Sequence, residues 1–216
     1  QRKPWSDHMI YPWPMPNVIG LSLDPREIAK VQKVTSTSAA AQAGFRPGDQ
    51  IQVINGQPIL SIADVQWVLH NARDGDELKL QVVNGKNNRT LLVPLKPGWR
   101  SNNDISWRTT SWNLRRITTG GILLGRLPDA DRRKAGIAQS KMALIANHVG
   151  QYGEHAVAKR AGFRKGDVIV TFDGRSDLMT ETELFDYVLK NRMRNETVAV
   201  TVLRGGKRLQ FKLRIQ

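Results

Sequence analysis

Apolar and polar residues alternate in four stretches of this chain. Leu78, Leu80 and Val82 are separated by polar positions, and after Asn84-Gly85-Lys86 an apolar run resumes across Leu91–Leu95. Val198, Val200 and Val202 repeat the pattern. A turn follows at Arg204-Gly205-Gly206-Lys207, and Leu209, Phe211, Leu213 and Ile215 alternate to the end. A period of two with turn residues between the runs predicts two β-hairpins. Ahead of the first hairpin, Ile62, Val65, Val68 and Leu69 recur at helical spacing, and Ser61 with Asp64 fits a capping box. Thr180 and Glu183 are its counterparts ahead of the second. Further upstream, the turn Gly44…Gly48-Asp49 precedes an apolar strand, Gln50–Ile54, and Asn55-Gly56 supplies a tight turn.

The two halves are copies. Residues 43–51 read AGFRPGDQI and residues 161–169 read AGFRKGDVI, an offset of 118. At the same offset Val53-Ile54-Asn55-Gly56 aligns with Thr171-Phe172-Asp173-Gly174. At an offset of 120, Val68–Asn71 aligns with Val188–Asn191 and Leu78–Val83 with Val198–Leu203. Agreement in order over four blocks points to a duplicated unit, with copies at 17–97 and 120–216. Each copy reads as α+β: five or six antiparallel strands forming a partly open barrel or sandwich, with one long and one short helix. An N-terminal arm, 1–16, is apolar and proline-rich from Trp5 to Pro16. A connector, 98–119, carries Trp99, Trp107 and Trp112. So many tryptophans are foreign to a free linker, and the connector is expected to pack across the domains. The alternative is a stacking surface in which these tryptophans act beside Arg100, Arg108, Arg115 and Arg116.

Charge adds one further reading. Net charge is +14, and it is uneven: residues 1–100 hold 12 basic and 8 acidic groups, residues 101–216 hold 21 and 11. Such a balance favours anionic partners: nucleic acid, acidic polymers, anionic lipid or acidic peptides. No cysteine is present, which excludes disulfides, thiol nucleophiles and zinc–thiolate sites. No apolar run reaches the length of a membrane span. With no starting Met and no apolar signal segment, the chain reads as a processed protein or as part of a longer one. Neither G-x-S-x-G nor H-E-x-x-H occurs, and His8, His70, His148 and His155 stand in unrelated contexts. No catalytic group, metal or cofactor is expected.

The run Lys33-Val34-Thr35…Ser38–Ile51…Asn55-Gly56 resembles bacterial PDZ domains of the type attached to periplasmic high-temperature-requirement serine proteases. Ala143–Val149…Ala161–Ile169…Asp173-Gly174 is similar in the second copy. More loosely, the arrangement is similar to bacterial proteins that join tandem PDZ domains to an upstream thioredoxin-like domain. The resemblance implies an extracytoplasmic protein whose ligand, often a peptide C-terminus, adds as a strand between a sheet edge and the long helix, its carboxylate held by loop amides. In the first copy it implies a loop at Ile19-Gly20-Leu21, a strand opening with Ser22 and Leu23, and a helix face of Ile62, Gln66 and Leu69. Ile62 and Leu69 would form an apolar pocket. In the second copy it implies a loop at Leu124-Gly125-Arg126-Leu127 or at Gly120-Gly121-Ile122. Thr182, Asp186 and Leu189 would face the groove, with Arg126 available to a carboxylate. An insertion, Pro128–Lys141, with a short helix ended by Gly136, would lie over that groove.

The leading function is thus a peptide- or protein-binding module, as scaffold or substrate-recruitment arm. The alternative is a basic module for nucleic acid or an acidic polymer. A third reading has self-segments blocking the grooves, with an upstream domain of the same polypeptide as the functional partner.

Overall fold

The computed structural model describes residues 4–216 and divides into two compact units, Ser6–Asn103 and Asp104–Gln216, the latter together with Pro4 and Trp5. The division falls inside the connector. Every strand pair is antiparallel, and the α+β reading of both copies stands.

The N-terminal unit opens with helix α1 (Asp7–Ile10) and a 3-10 turn, Pro16–Ile19. Strands β1 (Leu21–Leu23) and β2 (Val31–Val34) form a two-stranded sheet. The short helix α2 (Ala39–Gln42) leads to β3 (Gln50–Ile54) and β4 (Gln57–Pro58). The long helix α3 (Ile62–Asn71) and the hairpin β5 (Glu77–Asn84) and β6 (Asn87–Pro94) complete a four-stranded sheet in the order β4-β3-β5-β6. Period-two burial in β5 turns Leu78, Leu80 and Val82 inward. They meet Val65, Val68 and Leu69 of α3 in one core that also takes Trp99. Ser61 caps α3 as the sequence predicts, accepting from the Asp64 N–H. At the other end, the buried Arg100 donates to the carbonyls of His70 (2.7 Å) and Ala72 (2.6 Å), a cation where the helix dipole is negative.

The C-terminal unit begins with helix α4 (Ser111–Thr119), followed by β7 (Ile122–Arg126), helix α5 (Asp129–Lys134), β8 (Leu144–Val149), helix α6 (Val157–Arg160), β9 (Val168–Phe172), helix α7 (Glu181–Asn191) and the hairpin β10 (Thr197–Arg204) and β11 (Lys207–Arg214). Here one five-stranded sheet runs β11-β10-β9-β8-β7. Gly205 and Gly206 both take positive φ, as the two-residue turn between β10 and β11 requires. The insertion does not lie over the groove. Its Ile137 packs with Leu127, Ala143, Val168 and Val170, whereas Ile169 turns into the main core. It is therefore a cap on the outer face of the sheet. Buried Arg132 ties it together by donating to the carbonyls of Ala138 and Lys141.

The repeated G-D motif has a structural cause. Asp49 and Asp167 are fully buried, and each accepts a backbone N–H from three residues before, Arg46 and Arg164. Each carboxylate also needs a cation. Arg89 of β6 supplies it in the first unit at 2.5 Å, and Arg204 of β10 in the second at 2.6 and 2.7 Å.

Candidate functional site

A strand-addition site needs a strand at the edge of its sheet; β1 is such a strand in the first unit and β7 in the second. Among the described residues β1 pairs only with β2. The Gly20 carbonyl accepts the Thr35 N–H at 2.8 Å, so Gly20 faces β2. By the alternation of antiparallel ladders, Leu21 turns its N–H and C=O the other way, towards the open edge. Gly20 sits at φ +92°, closing the 3-10 turn, and its N–H donates to the Asn17 carbonyl at 2.9 Å. A Cβ there would lie 2.1 Å from the Ser38 Cβ, so both conformation and space require glycine. Ile19, Leu21 and Leu23 are buried, and Ser22 is exposed.

The helix side of this groove departs from expectation. Ile62 is half-buried against the core, but Leu69 is completely buried within it, so it forms no open pocket. Gln66 is engaged by the N-terminal arm: its amide donates to the Trp13 carbonyl (3.3 Å) and contacts the Met15 sulfur (3.1 Å). One turn on, His70 is stacked between His8 and Trp13, at centroid distances of 4.1 and 4.2 Å, and its Nδ1 accepts the Trp13 N–H at 3.3 Å. Burial, then the nearby His8 and Arg100, hold this imidazole below its ordinary pKa. The arm thus lies on α3 as a strap, not as an added strand.

In the C-terminal unit the loop lies at Gly120-Gly121, both at positive φ. The sequence Leu124-Gly125-Arg126-Leu127 is not a loop, because β7 runs through Arg126. Gly121 matches Gly20 in detail. Its carbonyl accepts from Gly150 N–H at 2.9 Å, and a Cβ on it would lie 1.9 Å from the His155 carbonyl oxygen. Arg126 is exposed at the far end of β7, about 16 Å along the strand from Gly121, out of reach of a carboxylate held there.

The open edge of β7 is occupied. Leu124 N–H, pointing away from β8, donates to Glu181 Oε1 at 2.7 Å. Arg115 of α4 grips the same carboxylate, Nε to Oε1 at 3.0 Å and Nη2 to Oε2 at 2.6 Å, with both side chains almost fully buried. Burial pushes the Glu181 carboxyl up from its ordinary pKa, against the pull of Arg115 and the Leu124 N–H. Thr182, expected to face the groove, is buried under the connector. Its hydroxyl donates to Asp104 Oδ1 (2.9 Å) and accepts the Ile105 N–H (3.2 Å). Burial would raise the Asp104 pKa, but the Ser106 hydrogen bonds, the Thr182 bond and the Arg115 charge outweigh it and hold it low. Asp186 forms an ion pair with Lys190 at 2.7 Å. Leu189 is buried, and its carbonyl accepts from Trp5 N–H.

Glu181 was not among the residues picked out from sequence. Aligning the helix caps, Ser61 with Thr180, gives an offset of 119 and puts Glu181 in the place of Ile62. The offset of 120 holds only at the helix end, because α7 is one residue longer than α3.

The connector does not present a stacking surface of free cations. Trp99 is buried, while Trp107 and Trp112 are exposed. Arg100, Arg108 and Arg115 each lie over one of these rings, and Arg116 pairs with Glu154 at 3.1 Å. Among the described residues no cluster of three His, Asp or Glu could hold a metal. His148 and His155 both face the edge of Trp112.

A family model described as "PDZ domain" matches residues 17–95 and 153–215. It leaves out β7, β8 and the insertion. A protein of Pseudomonas putida named probable periplasmic serine endoprotease DegP-like is 26% identical over 193 residues, covering 88% of this chain and 39% of its own length. One of the same name from Pseudomonas savastanoi pv. phaseolicola is 26% identical over 196 residues, covering 88% and 38%. The chain thus spans well under half the length of these relatives. Among solved structures, the HtrA3 PDZ domain bound to a phage-derived ligand is 22% identical with a TM-score of 0.31, over 35% of this chain and 81% of that one. The HtrA-type protease AlgW with tripeptide is 14% identical with a TM-score of 0.39, over 66% and 53%.

Proposed function

We infer the function from one premise: this chain belongs to the PDZ domain family. It is a peptide-binding module whose working site is the β1 edge of the N-terminal unit. A guest segment adds there as an antiparallel strand, exchanging backbone hydrogen bonds with Leu21 and Leu23. The observation that carries this reading is the single ladder partner of β1, with the outward-turned backbone of Leu21 beside the Gly20 turn. Ile19, Gly20 and Leu21 form the carboxylate loop, in which the Leu21 N–H is turned outward while the Gly20 N–H is held by the Asn17 carbonyl, and Ser22 and Leu23 open the strand. Ile62 and Gln66 line the helix wall over the buried Leu69. Because Gln66 holds Trp13 and Met15, a ligand's terminal side chain competes with the arm for this face.

The module acts outside the cytoplasm, as the periplasmic names of its relatives suggest, and serves to recruit or hold protein C-termini, either alone or for a further domain of the same polypeptide.

Calorimetric titration with a pentapeptide bearing an apolar C-terminal residue tests this. Binding of the free acid is expected, with a loss of about tenfold or more on amidation, since a charge-assisted contact is removed. Equal binding of acid and amide would refute the carboxylate loop, and no chemical-shift change at Leu21 and Leu23 would refute the site.

A further inference from the structure

The edge strand β7 runs five residues, against three in its counterpart β1. Its loop glycine, its carbonyl pairing and even its bulge are in the positions found in the first unit. The register shifts between Leu123 and Leu124 as it does between Ser22 and Leu23. Ala146 exchanges bonds with Asp167 and Gly166 as Val31 does with Asp49 and Gly48. Leu124 is therefore the counterpart of Leu23, and its outward N–H is the donor a guest strand would use. In the first unit the helix position facing that donor is Ile62, which carries no acceptor. In the second it is Glu181, whose carboxylate has taken the donor at 2.7 Å.

We propose that the C-terminal groove is a strand-addition site latched by its own chain: the Glu181 carboxylate stands in for the carbonyl of a guest strand at Leu124, and Arg115 and the Asp104–Ile105 segment lock it there. Three separate contacts fasten the latch to the first turn of α7. Arg115 holds both oxygens of Glu181, Ile105 N–H donates to the Thr182 hydroxyl, and that hydroxyl donates to Asp104. The arginine is itself braced, with Nη2 also donating to the Ser106 carbonyl at 2.6 Å. The groups that grip α7 all come from the segment just before β7, residues 104–119. The ligand excluded is an extended peptide backbone. It enters only when Glu181 leaves Leu124 and the Thr119 hydroxyl, which accepts the Ile122 N–H at 3.2 Å and lies 2.9 Å from the Ile122 carbonyl, also gives way, and the latched chain takes one peptide, at β1.

The latch leaves a signature that does not depend on the first groove. In the 216-residue chain, Leu124 N–H should exchange with deuterium at least about tenfold more slowly than Leu23 N–H, its unlatched counterpart. Replacing the buried ion pair by apolar residues, R115M together with E181I, copies the Ile62 arrangement and avoids a lone buried charge. In this variant, shown folded by its melting transition, Leu124 exchange should accelerate at least about tenfold. A pool of free-acid pentapeptides should then shift the Leu124 amide resonance, which the same pool leaves unmoved in the parent chain. Leu124 exchanging as fast as Leu23 in the parent chain would overturn the latch even if the double variant failed to fold. A folded double variant whose Leu124 stays unmoved by peptide would overturn the binding site. Failure of the first groove shows separately, as absent shifts at Leu21 and Leu23.

Discussion

Arg115 and Glu181 meet through two hydrogen bonds, 3.0 and 2.6 Å, in a place where the side chains keep 3% and 2% of their exposure. Breaking a pair so deeply buried strands a charge. R115M alone should therefore destabilise the C-terminal unit by about 3–5 kcal/mol, while R115M with E181I should recover most of that loss. Urea unfolding of the single and double variants gives the coupling, and simple additivity would argue against a buried pair.

The second buried carboxylate pair offers a milder case. Asp167 is fully buried, but Arg204 remains 27% exposed. R204M leaves the fully buried Asp167 carboxylate without its cation, so a loss of about 3 kcal/mol is expected, against about 1–2 kcal/mol for D167A, which leaves a solvent-reaching arginine and an Arg164 N–H without its acceptor. Chemical denaturation of both variants checks the order.

Gly20 joins a strained dihedral to a close contact. G20A should lower the stability of the N-terminal unit by about 2 kcal/mol or more, since φ +92° disfavours an L-residue and the new Cβ lands on Ser38. S38G in the same chain should restore space but not the dihedral, and it also removes the Ser38 cap on Ala41, so rescue should be incomplete. Thermal melting would show this, and full rescue would mean that sterics alone excluded alanine.

Acid should loosen the arm. His70 is held below the ordinary imidazole value by burial and by His8 and Arg100, and its Nδ1 must be unprotonated to accept the Trp13 N–H. The unfolded chain protonates first, near about pH 6.5. Stability is therefore full above that pH and falls as the pH drops through it towards the folded value. The nearby His8 and Arg100 both disfavour a proton on this imidazole, which reinforces the direction. Trp13 emission should change between about pH 7 and pH 5. H70Q should abolish that dependence, and an unchanged transition in H70Q would assign it elsewhere.

Much of this was written locally. The hairpins follow from alternation, the caps at Ser61 and Thr180 from residue type, and the duplication from four aligned blocks. Gly20 was legible only through the family resemblance, whose loop sets a glycine between two apolar residues, and its φ of +92° gives the physical need. Residues that act across the chain were not. Nothing near Gln66 indicates that Trp13 and Met15 will occupy it. The offset of 120 directed attention to Thr182 because the extra residue of α7 is silent until both ends of the helix are fixed.

The sequence by itself determined the two α+β copies and their order of strands and helices; the family resemblance marked Gly20 in the first and left the second loop at either Gly120-Gly121-Ile122 or Leu124-Gly125-Arg126-Leu127. Only the tertiary structure decided that one edge is open and the other shut. Periodicity and capping report on neighbours within a turn or a pleat, whereas the Leu124–Glu181 and Arg115–Glu181 contacts close over 57 and 66 residues. Such contacts exist only after α4, α7 and β7 have packed, when a buried donor, a carboxylate and a cation must satisfy one another because no water can.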